Sequence, residues 1–383
     1  MDTTMVDQQK GAESPTNTTT LSAQQFYQHD PLLVLLKDKL RLHDLWIIVG
    51  AMLLPGGVFL CWWLWWASKV RFWVPDNTLS VLLQTFVLFP FLFLIYLLVP
   101  ASIAGLFNTL RTNGVIGEHR RPQSDAQTYE TFVQQLVTWV DRSWWTAAIL
   151  VIVVFYALYR LLLLEPGSPS PVPYWMRVSA IVIYLPLMYA TGMSVVRLLL
   201  AVVFTNWLFY LFTLQVKPLH SDGSGGLGAL GRLLWISVGI MLWEALLLSA
   251  TWLSRNLHWL SFPEMLLLGA MYVILTPALL LGWLVFPHRV MVRARDEALQ
   301  PLVDEFQQAL TQSLLSVEHD IRSAIAGTRQ LAALKQRYDL VRDTFPTWPL
   351  EISALGRVGV TVVLPLMLPL ITSLISFALH IHP

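Results

Sequence analysis

The chain is poor in charge. Lys, Arg, Asp and Glu make up 13% of its 383 residues. A soluble domain carries roughly 25%, so the polar coat of a water-facing globule is missing. The charges that exist nearly cancel, to a net +1, and no Lys/Arg stripe marks a nucleic-acid surface, so nucleic acid is excluded as a partner. Cysteine is scarcer still. A single Cys61 rules out an internal disulfide, a Cys-rich zinc site and a CxxC redox pair.

Catalytic signatures are absent as well. There is no HExxH, GxSxG or GxxxxGK[ST], and no GxGxxG after a strand. His119, His258, His288, His319, His380 and His382 pair with no carboxylate at helical spacing. No repeat of 20 to 50 residues is visible. The first 30 residues hold no apolar core, so they do not read as a cleavable signal peptide. Their Thr, Gln and Ser content predicts a disordered tail, and Asp2 stands where myristoylation needs glycine.

Apolar residues are abundant, at 55%, with 17 tryptophans. Runs of about 20 apolar residues recur, the length that crosses a ~30 Å hydrocarbon core as helix. The spans predicted are Trp46–Trp66, Leu79–Phe107, Trp145–Leu164, one within Tyr174–Val216, Leu233–Leu253, Met265–Phe286 and Ile352–Leu379. Trp62, Trp63, Trp65 and Trp66 form an aromatic belt at one interface. Pro31–Leu45 reads as an interfacial helix, with Lys37, Lys39 and Arg41 toward headgroups. Pro90 and Pro100 predict kinks or helix contacts within the second span. Between the second and third spans, Phe132, Val133, Leu136 and Val140 give a short helix an apolar face.

The stretch 174–216 is about twice the length one crossing needs, and charge decides how it is read. With one crossing and a cytoplasmic N-terminus, inside segments hold 18 Lys and Arg and outside segments 4. A second crossing would reverse that bias, against the positive-inside rule. One net crossing is therefore the expectation, giving seven spans.

Residues 287–350 read as the soluble part. Leu299, Val303, Phe306, Leu310, Leu314, Val317, Ile321 and Ala324 form one helical stripe. Pro301 fits its first turn and Gly327-Thr328 a break. Leu331, Leu334, Tyr338 and Val341 then form a returning helix, making a cytoplasmic hairpin. The division is a tail over 1–30, a membrane region with interfacial helices over 31–286, the hairpin over 287–350, and a last span with its tail over 351–383.

Two constellations could carry chemistry. Lys217–Gly231 holds five of the 20 glycines with a His and an Asp. Glycine amides opening a helix suit an anion, which makes His220, Asp222, Gly223, Gly225 and Gly226 candidate ligand-binding residues. The alternative is a tight turn capped by Asp222 or Ser224, with Gly225, Gly228 and Gly231 admitting a neighbouring helix. The second constellation is Glu244 and Arg197, charges inside apolar runs. Each is costly unless paired, and Arg197 is the candidate partner of Glu244, with Asn206 and Tyr210 on the following turns. No metal site and no particular cofactor is indicated.

The pattern His220-x-Asp222-x-x-Gly225-Gly226-Leu227-x-x-Leu230-Gly231 resembles one in uncharacterised bacterial multi-pass membrane proteins. Trp348-Pro349 before the last span matches their layout, whereas Ser221 departs from a Pro in that form. The resemblance covers about fifteen residues and implies a membrane fold without an activity.

The expectation is an all-α polytopic bundle of about seven spans with a cytoplasmic helical hairpin, in a bacterial inner membrane with its N-terminus in the cytoplasm. Besides the lipid bilayer, the expected partners are further copies of the chain and a cytoplasmic protein on 299–341. The leading function is a self-associating scaffold. The alternatives are a channel or transporter with its path at Glu244 and Arg197, and a membrane enzyme acting at His220 and Asp222.

Overall fold

A computed structural model describes residues 20–69, 82–119, 128–164, 174–216, 220, 222, 224–253, 262–317, 321–345, 356 and 360. Eight helices longer than ten residues are described: α1 (Asp44–Lys69), α2 (Phe89–Thr112), α3 (Tyr129–Val140), α4 (Ser143–Tyr159), α5 (Tyr174–Leu211), α6 (Gly228–Leu253), α7 (Phe262–Val317) and α8 (Ile321–Thr344). Two short strands, β1 (Ile116–His119) and β2 (Phe212–Leu214), pair antiparallel. In lipid a chain must satisfy its backbone groups within itself, and helices do so segment by segment.

Six stretches are long and apolar enough to cross a membrane: Asp44–Trp62, Gln84–Thr112, Tyr129–Leu162, Ile181–Leu211, Gly228–Ser249 and Leu266–Leu314. The chain is a membrane protein of nearly all-α build. Apart from Gly356 and Val360, the seventh predicted span, 352–379, lies outside the described residues, as do the tail over 1–19 and Trp348-Pro349.

The bundle has an inside and an outside. More than half of the apolar window of α2, α5 and α6 is buried, against less than a fifth of α1, α4 and α7. On the outer helices Leu54, Leu64, Ile152 and Phe155 point outward, as a lipid-facing surface requires. α2 packs on α5, α6 and α1, and α5 packs on α3, α4 and α7.

The stretch from 174 is one helix of 38 residues, about 57 Å at 1.5 Å per residue, with no turn at Thr191-Gly192. A Cβ at Gly192 would come 3.0 Å from the Ile149 side chain, so the glycine sets how closely α4 approaches. Before Pro90 the helix loosens into a π-turn, Gln84–Leu88, a form that accommodates a ring clashing with the preceding turn. The Trp243 indole of α6 donates to Leu88 O at 2.9 Å. The predicted face of α3 is buried at all four positions, and Phe132 lies edge-on to Phe204, Trp207 and Phe212.

Three expectations need correction. Residues 20–30 are not part of a tail: Ala23–Phe26 is a 3-10 helix, and Phe26 and Asp30 are fully buried. The span at 265–286 and the stripe from Leu299 belong to one helix, α7, of 56 residues. Pro301 therefore lies inside it, not in a first turn. Gly327 is no break, since it lies within α8. There a Cβ would come 2.9 Å from Ser313 Cβ, so α8 runs back along α7 at close range.

Candidate functional site

The buried charges converge on the N-terminal segment. Pro31 begins a helical turn whose N-cap is Asp30, and the turn continues as a π-helix, Val34–Lys39. Asp with Pro directly after it is a helix start that local chemistry explains. Asp30 Oδ1 accepts the amides of Leu32 and Leu33 at 3.1 and 3.2 Å. Its other partners come from the bundle. Tyr96 of α2 donates to Oδ2 at 2.6 Å, and Tyr189 of α5 donates to Oδ1 at 3.1 Å. Arg197 Nη2 of α5 stands 2.8 Å from Oδ2, with both side chains sealed from solvent.

That last contact is charge against charge. Nε, Nη1 and Nη2 of Arg197 all lack an aligned hydrogen-bond acceptor among the described residues, and so does Ser194 Oγ, one turn earlier. The Arg197 guanidinium lies 5.8 Å from the centre of the Tyr96 ring, within cation–π range.

Two further clamps hold the same segment. Asn108 of α2 accepts from Leu21 N and donates to Leu21 O, each at 2.9 Å. Asp141, between α3 and α4, accepts His29 N at 3.0 Å and the His29 Nδ1–H at 2.7 Å. Thr146 donates to His29 O at 3.1 Å. Sequence reasoning missed Asp30, Tyr96, Tyr189 and Asp141. The one available signal was Asp30-Pro31 as a cap, which says nothing of burial.

Arg197 is thus the partner of Asp30 and not of Glu244, which corrects the pairing expected from the sequence. Glu244 is buried on α6 and makes no ion pair among the described residues. Asn206 does reach a neighbour, donating to Gly282 O of α7 at 3.3 Å. Tyr210 is exposed.

The glycine stretch is a second, separate arrangement. Asp222 Oδ1 accepts the amides of Ser224 and Gly226, both at 3.0 Å, and Oδ2 accepts the amide of Gly228 at 2.9 Å. Gly228 opens α6, so the carboxylate occupies the amides that an external anion would use. Nδ1 of His220 stands 2.9 Å from Asp222 Oδ1 and 3.4 Å from Asp222 N. One nitrogen cannot donate and accept at once, and the shorter, charge-assisted contact puts the proton on Nδ1. Burial pushes the Asp222 carboxyl up, but the amides of Gly226, Gly228 and Ser224 and the His220 contact outweigh it, leaving the carboxyl below its ordinary value of 3.8.

Gly225 and Gly226 hold φ of +66° and +93°, the left-handed region that glycine adopts without strain. The loop is tied to the strand pair. Asn113 Nδ2 donates to Gly226 O at 3.0 Å and Gln215 N donates to Val115 O at 2.7 Å. Gly223 and Ser221 lie outside the described residues. Among the described residues no group of three His, Cys, Asp or Glu could hold a metal ion. No protein-family model matches the chain, and neither a curated protein nor a solved structure matches it.

Proposed function

We propose that the chain is a non-enzymatic scaffold of a bacterial inner membrane that self-associates through a cytoplasmic helical hairpin, α7 with α8. The single observation that carries this reading is the surface of that pair. Leu310 and Leu314 of α7 and Ile325 and Leu340 of α8 are exposed there, all C-terminal to Arg289, where charges of both signs become frequent. A helix of 56 residues is roughly 84 Å long, more than twice the ~30 Å hydrocarbon core. Its charged part begins at Arg289. Charges of both signs flank the apolar positions, among them Arg293, Asp296, Asp304, Arg337 and Asp339, as a self-complementary surface needs. The same face is where a cytoplasmic protein partner on 299–341 would dock.

The basic residues set the orientation, since Arg289, Arg293, Arg295, Arg329 and Arg342 hold the pair in the cytoplasm by the positive-inside rule. The test is the mass of the full-length protein in detergent across micromolar concentrations. A dimer or larger species that Leu310→Lys with Leu314→Lys converts to monomer supports the reading. A wild-type monomer at every concentration overturns it.

A further inference from the structure

We infer that Tyr96, Tyr189 and Arg197 form a carboxylate-binding site in which Asp30 is a tethered occupant, and that a free monocarboxylate takes the site when the N-terminal segment withdraws. The donors belong to two different bodies. Tyr96 and Arg197 meet Oδ2, and Tyr189 meets Oδ1, so side chains of α2 and α5 alone supply a cation and two hydroxyl donors for both oxygens of one carboxylate. The remaining two donors, the amides of Leu32 and Leu33, leave with the segment. Withdrawal would strand a fully buried guanidinium, which is costly unless another anion replaces Asp30.

A second observation points to a ligand other than Asp30. The aspartate reaches Arg197 through one nitrogen only, in a contact without aligned hydrogen bonds, and Nε and Nη1 are buried without an acceptor among the described residues. Carboxylates commonly bind guanidinium through two parallel N–H···O bonds. Asp30 instead turns Oδ1 to the amides of Leu32 and Leu33 and to Tyr189. A free carboxylate is not tied to those amides and could satisfy the nitrogens that Asp30 leaves bare. Ser194 Oγ, on the same face of α5 one turn before Arg197, is another buried group without a partner.

The segment is also held by packing, since Phe26 and Leu33 are buried in the core, so its withdrawal uncovers both side chains. Its polar ties to the bundle are Asn108 at Leu21, Asp141 and Thr146 at His29, and the three side chains at Asp30. None of these ties is covalent, and Asp30 is the only carboxylate among them that the segment itself contributes. Charge is conserved in the exchange, one carboxylate leaving as another enters, so no proton or co-reactant is needed.

The experiment uses the full chain in detergent with acetate or formate as probe and chloride at equal ionic strength as control. In the wild type, hydrogen exchange of the amides at 32–39 is followed against probe concentration. In Asp30→Gly, thermal stability is followed in the same way, with Asp30→Gly/Arg197→Leu as the control without a cation. The expected result is a saturable rise in wild-type exchange with acetate and a saturable rise in the melting temperature of Asp30→Gly with formate. Both should be absent in chloride, and the stability rise should be absent in the double variant. If acetate and chloride act alike in the wild type and formate does not stabilise Asp30→Gly, the inference is overturned. Where Asp30→Gly cannot be obtained folded, the wild-type comparison decides alone.

Discussion

The guanidinium of Arg197 meets Asp30, and not Glu244, at 2.8 Å with both side chains sealed from solvent. Losing one member of such a pair leaves the other charge buried and alone, which costs about 3–5 kcal/mol, whereas replacing both by apolar residues is often neutral. Asp30→Asn and Arg197→Met are each expected to lower the melting temperature strongly. Asp30→Leu/Arg197→Met is expected to be milder than the sum of the two single changes. Thermal unfolding in detergent, run as a double-mutant cycle, checks this, and additive losses would mean that the two residues do not act as a pair.

Gly226 holds φ at +93°, and a Cβ there would come 2.5 Å from Val115 Cγ2. An L-residue in the left-handed region costs about 1–2 kcal/mol by itself, and Val115, fixed through its carbonyl to Gln215, cannot move aside freely. Gly226→Ala should therefore destabilise, whereas Gly50→Ala, inside α1 with nothing within 4 Å of the added Cβ, should not, since alanine is the better helix former. Melting temperatures of the two variants rank them.

Asp222 gives a pH dependence with a definite sign. Its carboxyl lies below its ordinary value of 3.8 in the folded chain, so the folded state holds the proton less well than the unfolded state. The resulting stabilisation is complete above about pH 5 and is lost as pH falls through 3.8 toward the folded value. Asp222→Asn removes the charge that the amides of Ser224, Gly226 and Gly228 favour. The wild type should lose stability between pH 5 and pH 3 more steeply than this variant, and parallel curves would show that another group controls the acid limb.

The parts of this fold that were legible in the sequence are those that depend on local period and length. Phe132, Val133, Leu136 and Val140 repeat at helical spacing and are all buried. Leu331, Leu334, Tyr338 and Val341 are half-buried together along α8. Charge bias between loops chose one crossing for 174–216, and α5 is one helix. Asp30 was not legible, because a capping aspartate beside a polar tail looks the same whether solvent or two tyrosines receive it. Tyr96 and Tyr189 lie far from it along the chain and carry no mark of their hydroxyl partner. Arg197 was assigned to Glu244 because both stand inside apolar runs, yet an ion pair is set by which faces meet. The strands β1 and β2, of four and three residues, are too short for alternation to register.

The pairing of α8 on α7 can be tested through Gly327 and Ser313. Alanine is favoured over glycine inside a helix by about 1 kcal/mol, so Gly327→Ala would stabilise α8 if the site were open. It is closed: the added Cβ would come 2.9 Å from Ser313 Cβ, an atom bonded directly to the α7 backbone that no side-chain rotation moves away. The close approach should cancel the propensity gain or reverse it, loosening the contact between the helices. Ser313→Gly removes that atom while costing α7 some propensity of its own. Alone it should destabilise slightly, and in the Gly327→Ala background it should restore packing, so the two changes are coupled in the favourable direction. Hydrogen exchange of the α8 amides at 331–343 reads this locally, without the rest of the bundle contributing. Faster exchange in Gly327→Ala that Ser313→Gly reverses places the two helices in contact at these residues. Slower exchange in Gly327→Ala alone would mean that α8 stands away from α7 in solution, and the exposed leucines of the pair would then have no fixed surface to share with a second copy.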